Sequence, residues 1–127
     1  MLTQWVNIYE DENLKNMEIT FPVDDDPDDW NETKRLVRRH NAQRAKLIRR
    51  RLDDLRAAPC LDVMRYLPGR CHELKGDRAG QVSVDLDGPY RLLFRPAHVP
   101  VPTKKDGGLD WTQVTAVIVV GVADTHD

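Results

Sequence analysis

Cysteine is scarce in this chain: Cys60 and Cys71 are the only two in 127 residues. Two thiols make neither a disulfide framework nor a zinc site, which takes about four ligands. Two reduced thiols in a cytoplasmic protein are the expectation. Long apolar runs are also lacking. No stretch approaches the roughly 18–20 apolar residues of a membrane span. The longest, around Ala116 to Val120, is the size of a strand. The polar, acidic N-terminus lacks the apolar segment of a secretory signal. No two candidate ligands stand at a helix spacing such as i, i+4, so neither a metal nor another cofactor is expected. What remains is one domain, long enough to bury a core without staples.

Charge is plentiful and unevenly placed. Residues 1–32 carry ten acids and one base, Lys15, a net −9. The remaining 18 bases and 11 acids leave residues 33–127 at +7. A basic body suits a polyanionic partner, because neutralised phosphates release counterions. The alternative is a solvated helix face balanced by the acidic leader.

Hydrophobic period divides the chain into elements. Residues 1–16 show no clean helical or strand period and read as a poorly ordered extension, with the domain at 17–127. Met17 to Phe21 alternates as a strand. Pro22 to Asp29 is an acidic loop whose like charges favour disorder. Asp29 or Asn31 can cap a helix starting near Trp30, which ends at Asn41 in a left-handed conformation. A second helix runs from about Ala42 to Ala57, with Ala45, Ile48, Leu52 and Leu55 forming one apolar stripe. Residues 34–56 hold ten bases and two acids, nearly all off that stripe. Leu61 to Tyr66 reads as a short helical turn. Leu67-Pro68-Gly69-Arg70 fits a type II turn. Strands follow at about 70–75, 81–86 and 90–95, the last two joined by Asp87-Gly88-Pro89. Pro96 to Asp110 is a loop. Val114 to Val122 is apolar on both parities, as a strand covered on both faces would be. The order β-α-α-β-β-β predicts an α+β fold: two N-terminal helices on one face of a mostly antiparallel sheet of four to five strands.

The other face of that sheet is where chemistry belongs. Strand parity presents Ser83 and Arg91 there, and Asp124 and His126 share a parity at the chain's end. His72 stands beside Lys75-Gly76-Asp77-Arg78. Cations with imidazoles suit RNA cleavage. A base takes the proton of a ribose 2′-hydroxyl, a cation stabilises the pentavalent phosphorane, and an acid protonates the leaving 5′-oxygen. Histidine serves either proton role near neutral pH. Each residue also has a plainer reading. His72 fits a packed or edge position, Arg91 a charge balance, Asp124 and His126 a tail, and Lys75 a surface lysine.

The combination is more telling than its members. Leu67-Pro68-Gly69, Cys71-His72-Glu73-Leu74-Lys75-Gly76-Asp77-Arg78, Gly80-Gln81-Val82-Ser83-Val84 and Tyr90-Arg91-Leu92-Leu93-Phe94 together resemble the HigB group of the RelE/ParE toxin superfamily. Pro100-Val101-Pro102 and Lys105-Asp106-Gly107-Gly108-Leu109-Asp110-Trp111, followed by Val114-Thr115-Ala116, resemble its "killer suppression protein" subgroup. The resemblance runs from about Met17 to His126.

That resemblance implies a RelE-like fold and the toxin of a type II toxin–antitoxin module, a metal-independent endoribonuclease (an mRNA interferase) that cuts mRNA on the ribosome. His72 and His126 would share the proton transfers, with Arg91 and Asp124 completing the catalytic set. Lys75, Arg78 and Arg95 would hold RNA. The family's closing aspartate-tyrosine-histidine falls on Asp124-Thr125-His126, so Thr125 replaces the tyrosine and cannot stack on a base. The implied partners are the ribosome, mRNA and a helix-turn-helix antitoxin of HigA type, with operator DNA reached only through the antitoxin. Arg38, Arg49 and Arg50 on the helices are the expected antitoxin contacts, leaving the groove largely open. Two rivals stand beside this reading: a ParE-like toxin that poisons gyrase, and a degenerate antitoxin-binding module.

Overall fold

In the computed structural model, which describes residues 16–125, a mixed sheet carries three helices on one face. Strand β1 (Glu18–Thr20) leads to helices α1 (Asp28–Asn31), α2 (Thr33–Arg39) and α3 (Ala42–Ala57). A 3-10 helix over Leu61–Tyr66 precedes β2 (His72–Glu73), β3 (Val82–Asp85), β4 (Tyr90–Pro96) and β5 (Ala116–Asp124). The sheet order is β1-β5-β4-β3-β2. Only β1 and β5 run parallel; the other neighbours are antiparallel. The expected α+β class and the helix-covered sheet are therefore present. The expected extension falls outside the described residues except for Asn16, and so does His126.

Helix α3 forms where its period predicts. Ala45, Ile48, Leu52 and Leu55 are all buried and meet Val82, Val84, Leu92, Phe94, Val117 and Val119 of the sheet. Its N-cap differs from the expectation. Asn41 is extended, with φ 163°, and its Oδ1 accepts the Arg44 N–H at 2.8 Å. Asn41 thus starts α3 instead of ending α2 through a left-handed turn.

The acidic segment is also ordered where repulsion was expected. Trp30 is buried and stacks on Phe21, with ring centroids 5.7 Å apart. The Trp30 indole donates to Asp25 at 3.0 Å. Arg35 gathers Asp26, Asp29 and Glu32, and Arg39 reaches Asp29. Opposite charge from α2 cancels the repulsion that the local sequence suggests. The first helix breaks at Glu32, whose backbone is extended; its N-cap is Pro27, which has no side-chain cap to offer, and Asp26 just ahead of it accepts the Asp28 N–H. Neither Asp29 nor Asn31 caps it.

Two strands are shorter or more open than expected. Pairing at 70–75 is confined to His72 and Glu73. β5 is covered on one side only: Val117 and Val119 are buried, whereas Val120 is 37% exposed. The two cysteines are free thiols, and burial pushes the Cys71 thiol up to about 12.

Candidate functional site

The face opposite the helices, here the second face, is set by the register of β2 to β4. His72 pairs with Ser83, Ser83 with Leu93 and Asp85 with Arg91. Side chains of directly paired residues share a face, so parity places Ser83 and Arg91 together as expected, and His72 and Asp85 with them. The facing set Val82, Val84, Leu92 and Phe94 is the buried one that meets α3.

A polar cleft of about 700 Å³ lies between the loop after β2 and the end of β5. Leu74 to Arg78, Gln81, Asp124 and Thr125 line it. The loop turns at Gly76, with φ +64°, into a 3-10 turn over Gly76–Arg78. Arg78 N–H donates to the Lys75 carbonyl and Gln81 N–H to the Arg78 carbonyl, which fixes the turn. Thr125 is anchored from the far wall by its N–H on the Pro89 carbonyl, 3.2 Å away. Two cations, Lys75 and Arg78, thus face two carboxylates, Asp77 and Asp124, in one cavity. Gln81 Oε1 and Ser83 Oγ are buried without a hydrogen-bond partner among the described residues.

The cleft brings together Lys75, Arg78 and Asp124 but not the whole expected set. His72 is exposed on the second face outside the cleft's lining. Its Nδ1 lies 2.8 Å from the Arg70 carbonyl. Arg91 is anchored. Its Nε sits 2.8 Å from Asp85 Oδ1, and its Nη1 donates to the Gly88 and Tyr90 carbonyls. Arg70 Nε donates to the other oxygen of Asp85 at 2.6 Å. Two guanidiniums on one carboxylate leave this cluster net positive. Arg95 stands apart, in a groove lined by Thr20 to Val23 and Ile118 to Val120.

Asp124 and Arg91 do not share a strand-face parity. Asp124 pairs with Tyr90 and Arg91 with Ala123, because a bulge at the Leu93/Phe94 step shifts β5 by one residue. Asp124 reaches the cleft from the strand's last position.

Arg70 and Asp85 are the members that sequence reasoning missed. Asp85 was legible in principle, since the Asp87-Gly88-Pro89 loop, centred on Gly88, puts it opposite Arg91. Among the described residues, no three His, Cys, Asp or Glu side chains gather as metal ligands. No helix among them is long and apolar enough to cross a membrane.

On the opposite side of the molecule, Arg38 and Arg50 are exposed. Arg49 Nη1 donates to the Asn31 carbonyl at 2.6 Å.

No protein-family model matches the chain. No curated protein matches it either. Among solved structures, the YoeB/ParE toxin from Agrobacterium tumefaciens is similar, with a TM-score of 0.49 and 15% identity over 87% of this chain and 100% of that one.

Proposed function

We propose that this chain is the toxin of a type II toxin–antitoxin module: a HigB-like, metal-independent endoribonuclease that cuts mRNA on the ribosome. The observation that carries the reading is the polar cleft where Lys75 and Arg78 face Asp124. Lys75 and Arg78 would hold the scissile phosphate, and the net positive Arg70–Asp85–Arg91 cluster would add to the field around it. His72 would exchange a proton through Nε2, with His126 as the second proton-transfer group and Asp124 orienting the substrate. Arg95 would contact RNA farther along the second face. Thr125 supplies no aromatic surface, so base stacking, which contributes about 1–3 kcal/mol where present, is missing at that position. A cognate antitoxin would hold the toxin inactive in the cytoplasm.

The anchoring of Arg91 on Asp85 favours a second reading. A ParE-like toxin, acting on gyrase through protein contact, needs no free phosphate-binding arginine. One experiment separates these readings. Purified protein added to translating ribosomes should cut the mRNA at defined positions, read by primer extension. Intact mRNA together with gyrase-linked DNA breaks would establish the second reading. Neither effect, with tight antitoxin binding, would leave a degenerate binding module.

A further inference from the structure

We propose that Arg70 is a positioning residue for His72, acting through its backbone: a left-handed turn residue aims its carbonyl at the imidazole and fixes which nitrogen is free. The inference rests on His72 being a proton-transfer group.

A carbonyl oxygen only accepts, so the 2.8 Å contact from His72 Nδ1 to Arg70 O requires Nδ1 to carry the proton. In the neutral ring, Nε2 then holds the lone pair and faces outward as the group able to take a proton. The backbone that presents this carbonyl is in the left-handed region, with Arg70 φ +48°. Arg70 is the only described non-glycine residue in the left-handed range of φ. Such a conformation persists where the surroundings over-determine it.

Here β3 does so from several directions. Asp85 N–H donates to the Gly69 carbonyl at 2.7 Å. The Asp85 carboxylate takes the Arg70 guanidinium, and the Asp85 carbonyl takes Arg51 Nε at 2.8 Å. Gly69 itself has no room for a side chain, since a Cβ would lie 2.5 Å from Val84 Cγ2. The turn is therefore pressed onto β3, and Arg70 leaves it with the carbonyl toward His72. The guanidinium is 75% exposed on the side chain, so the anchoring of the turn does not bury the cation.

Backbone and side chain make different demands on position 70, and substitution separates them. Arg70→Gly removes the guanidinium but accepts positive φ. Arg70→Val removes it and, being β-branched, resists positive φ more than arginine does, which lowers the left-handed population roughly tenfold against Arg70→Gly. The protein labelled with ¹⁵N-histidine is read by long-range ¹H–¹⁵N correlation at a pH where imidazoles are neutral. The His72 signals are identified by their loss in His72→Gln. Wild type and Arg70→Gly should show the Nδ1–H tautomer. Arg70→Val should lower the ratio of that tautomer to the Nε2–H form about tenfold. If Arg70→Val does not fold, Arg70→Thr, likewise β-branched, supplies the same comparison with the same expected direction.

A wild-type His72 in the Nε2–H form overturns the proposal. So does a folded Arg70→Val, or Arg70→Thr where it stands in, with the wild-type ratio. Cleavage on ribosomes should track the tautomer, with Arg70→Val about tenfold below Arg70→Gly. A wild-type protein with the stated tautomer but no cleavage defeats the ribonuclease reading and leaves the fixed imidazole standing.

Discussion

Arg44 of α3 holds Asp87 of the β3–β4 turn in a two-pronged ion pair, with Nε–Oδ1 at 2.9 Å and Nη2–Oδ2 at 3.1 Å. Both side chains are 16% exposed, and the guanidinium lies 3.6 Å over the Tyr90 ring. The pair clamps the start of α3 to the hairpin that carries Asp85 and Arg91. Hydrogen bonds to charged groups contribute about 1.5–3 kcal/mol. Arg44→Met, which keeps the apolar stem, should therefore lower unfolding free energy by about 1–3 kcal/mol in urea titration. A double-mutant cycle with Asp87→Asn should return a coupling above about 0.5 kcal/mol. Additive single effects would mean that the clamp contributes nothing specific.

The same corner predicts a pH profile. Hydrogen bonding from Arg44, then a backbone hydrogen bond and the Arg44 charge, hold the Asp87 carboxyl below the ordinary carboxylate range against the effect of burial. That stability is present above the unfolded value of about 3.9 and is lost as pH falls through the lower folded value. Burial, then Arg39 and Arg44, hold His40 below the ordinary histidine range against the pull of Asp87. Folding therefore favours neutral His40. Its contribution is full above about pH 6.5 and declines as pH falls toward the folded value. Urea midpoints should drop first below about pH 6.5 and again below about pH 4. His40→Asn should flatten the first decline and Asp87→Asn the second. Unchanged profiles would show that neither group is linked to folding.

Catalysis gives a third expectation. His72 and Lys75 are exposed, so replacing them should leave the fold intact. His72→Ala and His126→Ala should each slow mRNA cleavage about 10²–10⁴-fold, the usual worth of a placed proton-transfer group. Lys75→Ala and Arg78→Ala should each cost about tenfold or more through lost phosphate stabilisation. Losses under about threefold at both histidines would remove them from the proton transfers.

The helix stripe and the β3–β4 alternation were legible because each element's own residues bury its face. Leu92 and Phe94 turned inward and Arg91 outward as parity requires. What escaped sequence reasoning depends on partners far along the chain. Arg44 and Arg51 look like surface charge on a basic helix. They are committed to Asp87 and to the Asp85 carbonyl, 43 and 34 residues away. The acidic segment reads as self-repelling until Arg35 and Arg39 are seen to neutralise it. The bulge in β5 skips Val120 beside Gly121, and that strand glycine is its one mark in an otherwise apolar run, too slight to give the parity of Asp124 against Arg91.

The domain boundary is testable by deletion. Met17 is 4% exposed, and its N–H donates to the Ala58 carbonyl at 2.9 Å. A chain starting at Met17 keeps that contact through its terminal amine. Removing residues 1–16 should leave the melting temperature and toxicity nearly unchanged. A large fall in melting temperature would show that Trp5, Val6, Ile8 or Leu14 belongs to the packed domain.

The partner surface follows from which cations remain uncommitted on the helices. Arg35 and Arg39 serve the acidic segment, Arg44 and Arg51 the hairpin, and Arg49 and Arg56 bind Asn31 and Asp53. Lys34, Arg38, Lys46 and Arg50 are exposed. Arg49 also holds α3 to α1, so reversing it would disturb the fold as well as the surface. Arg38 and Arg50 make the cleaner pair. If the antitoxin sits on the helices, the double reversal Arg38→Glu with Arg50→Glu should slow its association steeply at low salt. The effect should fade with added salt, because steering is screened beyond about 10 Å at 0.1 M. Ribosome binding should weaken in parallel, whereas Arg78→Ala should harm cleavage and spare the antitoxin. The opposite pattern would mean that the antitoxin plugs the cleft: affinity intact after the double reversal and lost with Arg78→Ala. The basic helices would then be a solvated face with no part in inhibition.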